Sequence, residues 1–124
     1  MPSRPERSLP DNDDDEVGRD FFRGLRDTHT EHLPHAMSFI LDIPTEEGAK
    51  ALRRALAGAL GMTIEALEVT KHEDFAQDWA VKARLPEGVV TAASIAALRR
   101  QLRHSASAYD GSLVQFSLHS PSGA

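Results

Sequence analysis

The residues with the most obvious chemical potential in this chain are three histidines, His29, His32 and His35, spaced three apart in THTEHLPH. Neutral imidazoles so grouped can share a zinc or nickel ion. Pro34 interrupts any helix that would align them, no fourth ligand is nearby, and His35 abuts a strand, so no metal site is expected. Asp42, Lys82 and Arg84 form a second group, on one face of two strands expected to be neighbours. An anion or carboxylate site on an open sheet is one reading of that trio. The favoured reading is an exposed cross-strand charge pair, worth roughly 0.2–1 kcal/mol.

Other chemistry has little to stand on. The chain has no cysteine, which excludes disulfides, thiolate zinc sites and a cysteine nucleophile. It has no Gly-rich loop to cradle phosphate and no serine–histidine arrangement that sequence can defend. An enzyme is not expected, and no cofactor is assigned.

The elements that would position these groups occupy about 90 of the 124 residues. A domain that size buries only about 60–65% of its unfolded surface, which leaves no room for a large internal cavity. The net charge is −5. Residues 1–35 hold nine acidic and five basic side chains, and residues 36–124 hold ten and nine. The folded part is thus nearly neutral, and bulk nucleic-acid binding, which needs a basic surface, is not expected. No apolar run reaches the length of a membrane span and no signal peptide is seen, so a cytoplasmic, soluble protein is expected.

Residues 1–19, with three prolines and the run Asp11 to Glu16, read as a disordered acidic leader. Residues 20–35 read as a lead-in in which Phe21, Phe22 and Leu25 share one side of a short helical turn and dock on the domain. From Ala36 to Ile43 the apolar residues Met37, Phe39, Leu41 and Ile43 alternate, the period of a half-buried strand. Pro44 ends it, and Thr45 caps a helix carrying Ala49, Leu52, Leu56, Ala59 and Leu60 inward and ending at Gly61. Ile64 to Thr70 is a weaker strand, and Lys71 to Asp78 a polar hairpin loop containing Phe75. Trp79, Val81, Ala83 and Leu85 face inward on the next strand, with Trp79 as a core anchor. Thr91 caps a second helix whose stripe is Ile95, Leu98, Leu102 and Ala106, with Arg99, Arg100 and Arg103 facing water. Tyr109-Asp110-Gly111 turns the chain into a last strand with Val114, Phe116 and Leu118 inward. Residues 120–124 form a frayed tail.

The order β-α-β-β-α-β predicts an α+β, ferredoxin-like sandwich over residues 36–119: a four-stranded antiparallel sheet with two helices on one face. Its outer face would carry Ser38, Ile40, Asp42, Glu68, Lys82, Arg84, Gln115, Ser117 and His119. RNA recognition of the kind seen on such sheets needs exposed aromatics on the third strand, and DWAVKARL offers none.

Three segments, LPHAMSFILDIPTEEGAKAL, DWAVKAR and PEGVVTAASIAALRRQLRHSASAYDG, resemble the regulator of ribonuclease E activity B (RraB) family. In that family a lead-in with histidine precedes an apolar strand and a "pteeaA" helix start. A tryptophan opens the third strand, and an A-I-x-x-L helix runs into YDGW. The likeness spans roughly Leu33 to Gly111, and its weight lies in the order and spacing of short motifs. Ser112 stands where the family carries a tryptophan after YDG.

The resemblance implies a non-enzymatic regulator that binds ribonuclease E and restrains RNA decay by protein contact. The expected partner is therefore ribonuclease E or a degradosome component, with no direct nucleic acid, no membrane, and a monomer or weak oligomer. The expected contacts are Asp13, Asp14, Asp15 and Glu16, steering an arginine-rich partner, and Tyr109 and Asp110 on the folded surface. The alternative function is a homodimeric small-molecule-binding sensor paired through its sheet.

Overall fold

Strict alternation in AMSFILDI makes a strand that buries Phe39, Leu41 and Ile43, each at most 1% exposed, while Ser38, Ile40 and Asp42 point to the opposite face. This strand is central. In a computed structural model describing residues 11–71 and 79–119, the elements are α1 (Asp11–Asp27), β1 (Ala36–Ile43), α2 (Glu46–Leu60), β2 (Leu67–Lys71), β3 (Trp79–Arg84), α3 (Ala92–Ser107) and β4 (Ser112–His119). The sheet runs β2-β3-β1-β4, every neighbouring pair antiparallel. α2 and α3 cover one face. Ala49, Leu52 and Leu56 from the first, and Leu98, Leu102 and Ala106 from the second, close the core over β1 and β3. Ala57, rather than the expected Ala59, completes the buried stripe of α2.

The helix boundaries follow from local chemistry. Thr45 accepts a hydrogen bond from the Gly48 N–H at 3.0 Å, and Gly61 ends α2 in the left-handed region at φ 69°. At the start of α3 the Ser94 N–H donates to Thr91 Oγ1 at 3.0 Å, and the Thr91 N–H donates to Ser94 Oγ at 2.8 Å. Two otherwise orphaned donors are satisfied reciprocally. Thr91→Ala should therefore lower stability by about 1 kcal/mol, read as a fall in the urea midpoint at unchanged slope.

Three expectations are corrected. First, the acidic segment is not a disordered leader from residue 11 onward: α1 spans Asp11–Asp27, and the helix layer holds three helices rather than two. Residues 1–10 lie outside the described residues. α1 lies along α3, with Phe21, Phe22 and Leu25 packed near Val90, Ile95, Phe116 and Leu118. The Phe21 and Phe116 rings meet edge to face at 5.9 Å. The docking of the FF-L turn on its own domain is as expected; its length is not.

Second, β4 does not alternate regularly. Ile40 pairs with Gln115 but Leu41 pairs with Leu113, so Val114 is an extra residue in a bulge. The inner face is thus Leu113, Phe116 and Leu118, and Val114 is 44% exposed. Third, the weak strand is shorter than expected, because Ile64–Ala66 forms a 3-10 turn before β2. The Phe75 loop and the tail after His119 lie outside the described residues.

Candidate interaction site

The acidic run folds back on its own chain. Asp14 is fully buried, its Oδ1 3.2 Å from Arg99 Nε and its Oδ2 2.9 Å from Arg103 Nη2. Asp15 Oδ1 lies 2.8 Å from Arg100 Nη2. The three arginines expected to face water therefore face α1, and Arg99 also stacks its guanidinium 5.4 Å from the Phe116 ring centroid. Burying a carboxylate requires such partners, since an unpaired charge would be costly. Asp14 is accordingly committed to the fold and not free to steer a partner. Of the four acidic residues assigned to steering, Glu16 is exposed and Asp13 half-buried.

A glycine makes the approach possible. A Cβ at Gly18 would lie against the carbonyl oxygen of Ala92 and 3.3 Å from the Ala96 nitrogen, so α1 meets the backbone of α3 there. Sequence reasoning missed this contact.

The second expected contact, Tyr109-Asp110, sits where the motif segments of the sequence meet. Tyr109 is half-buried against the core and Asp110 is exposed, in the left-handed region at φ 61°. Gly111 follows with no space for a side chain, because a Cβ would strike Ile43 Cδ1 and the Asp42 carbonyl oxygen. The Tyr109 Cβ would lie 3.7 Å from a Cβ placed on Gly48 in the first turn of α2. Trp79, half-buried, opposes Ile43 in the register, and Lys71 Nζ lies 5.4 Å from its ring centroid. One end of the sheet thus gathers the start of α2, the start of β3 and the turn before β4. Pro44, Thr45, Glu46, Glu47 and Asp110 are exposed there around the two half-buried aromatics. Carboxylates and half-buried aromatics gathered at one end of a sheet fit a protein contact with basic residues at its border.

The histidines do not converge. His29 and His32 are exposed, whereas His35 is buried with Nδ1 3.1 Å from the His119 carbonyl and Nε2 2.9 Å from the Thr30 carbonyl. Among the described residues no group of histidine, aspartate and glutamate could hold a metal ion. Nor does Asp42 stand directly opposite Lys82 or Arg84: it opposes Ala80, with Lys82 diagonal to it on the same face, while Lys82 opposes Ile40 and Glu68, and Arg84 opposes Ser38. No helix among the described residues is long and apolar enough to cross a membrane. Compared with known proteins, the chain matches no family model and no curated relative.

Proposed function

We propose that this protein is a non-enzymatic regulator of RNA decay that acts in the cytoplasm by binding ribonuclease E or a degradosome component, as its resemblance to the RraB family implies. In the same reading its β-α-β-β-α-β body is a ferredoxin-like sandwich, extended by α1. The observation that carries the reading is the meeting of IPTEEG, Trp79 and Tyr109-Asp110-Gly111 at one end of the sheet. Those pieces come from the three separate segments that resemble the family, and they bring aromatic and acidic side chains to that end of the sheet. An arginine-rich segment would find carboxylates at Glu47 and Asp110 and apolar cover over Tyr109. Glu16 and Asp13 remain for long-range steering, in place of the whole acidic run.

The test is a pull-down from host extract with the purified full chain, read by mass spectrometry at low and moderate salt. Ribonuclease E or its associated proteins should be recovered, less at moderate salt. The double variant Glu47→Gln/Asp110→Asn, which keeps the left-handed turn residue polar and short, should lower that recovery several-fold without changing the unfolding midpoint. A folded wild-type chain that recovers neither the nuclease nor its associates would overturn the proposal.

A further inference from the structure

The face of the sheet turned away from the helices holds a depression of about 330 Å³, near the lower end of small-molecule sites. Ser38, Ile40, Lys82, Arg84 and Gln115 line it, with Glu68 at one side. The register puts these groups in two rows. Arg84, Ser38 and Ser117 lie side by side across β3, β1 and β4, and Glu68, Lys82, Ile40 and Gln115 occupy the row beside them across all four strands. Asp42 opposes Ala80 and Glu68 opposes Lys82, so Arg84, which opposes Ser38, is the cation with no carboxylate directly across from it in the register. Among the described residues neither Lys82 nor Arg84 forms an ion pair.

We propose that this depression binds a small molecule bearing a phosphate group. The donors on it are a guanidinium fork, an ammonium, a hydroxyl and a side-chain amide. A carboxylate offers two oxygens in one plane, whereas the tetrahedral oxygens of a phosphate can take the arginine fork on one side and reach the ammonium in the neighbouring row on another. Ile40 provides an apolar floor for the body of the ligand. Glu68, across β3 from it, accepts hydrogen bonds from hydroxyl or amine groups on that body. Part of the site is held in place without ligand: Ser38 Oγ lies 2.7 Å from His119 Nε2, and the His119 carbonyl is in turn held by the buried His35 ring. Such preorganisation reduces the ordering cost of binding.

The experiment is an amide NMR titration of the full chain with inorganic phosphate, repeated with acetate at matched ionic strength. Phosphate should give saturable shifts at Ser38, Ile40, Lys82 and Arg84, and acetate only weak, linear ones. Arg84→Ala removes an exposed side chain, so its spectrum should stay folded while phosphate affinity falls about tenfold or more. Arg54→Ala, on the exposed side of α2, should leave the affinity unchanged. Non-saturating shifts with phosphate, equal saturation with acetate, or an Arg84→Ala protein that binds as well as wild type would each overturn the proposal.

Discussion

Asp14→Ala should destabilise the protein by about 3–5 kcal/mol, a large share of the 5–15 kcal/mol typical of a domain. The carboxylate is fully buried, and its loss removes the anion shared by Arg99 and Arg103, whose side chains are only 14% and 21% exposed. The cost is that of removing one partner from a buried charge cluster and not the net worth of the pairs, because taking three charges out of water offsets much of their attraction. A double-mutant cycle separates the two quantities. Asp14→Ala combined with Arg103→Ala should be less destabilising than the sum of the single changes. Urea unfolding monitored by circular dichroism supplies each value. A loss below about 1 kcal/mol for Asp14→Ala would mean that the carboxylate is solvated and α1 undocked.

Two glycines of α1 should respond to alanine with opposite signs. At Gly24 nothing lies within 4 Å of the added methyl, so Gly24→Ala should stabilise by roughly 0.5–1 kcal/mol through helix propensity alone. At Gly18 the same propensity gain is outweighed by collision with the Ala92 carbonyl, which is backbone and cannot swing aside. Overpacking of that kind costs about 1–3 kcal/mol, so Gly18→Ala should be destabilising. Its effect should spread, since lifting α1 also separates Asp14 from its arginines and Phe21 from Phe116. Thermal unfolding of the two variants against wild type checks the pair. Equal shifts in the same direction would contradict the close helix contact.

Much of the sheet and its two covering helices could be read from the chain because each obeys a single local rule. Period-two alternation marks β1 and β3, and threonine caps mark the starts of α2 and α3. Where two rules compete, the reading fails. In α1 the polar run Asp11 to Glu16 has the composition of a solvated segment, yet Asp14, Gly18, Phe21, Phe22 and Leu25 follow helical spacing on one side. That spacing, matched against Arg99, Arg100 and Arg103 on α3, was the available signal. It was hidden because a buried aspartate breaks the apolar stripe that periodicity looks for. The bulge at Val114 is invisible for a different reason: valine suits either face of a strand, and only pairing with β1 reveals the extra residue. Around the candidate residues the local turn was legible and the cross-strand register was not. The turn at Tyr109-Asp110-Gly111 could be read from its residue types, whereas the pairing of Asp42 with alanine depends on a register that sequence does not supply.

The central claim is that a protein partner engages the end of the sheet where Trp79 and Tyr109 lie. Trp79 is the only tryptophan in the chain, and it stands at that end. Incorporating 5-fluorotryptophan into this chain alone gives one fluorine resonance that reports on the surface, whatever aromatics the partner carries. Titration with purified ribonuclease E should shift or broaden that resonance saturably, and less steeply for Glu47→Gln/Asp110→Asn. A resonance that stays unmoved at saturating partner would contradict the account.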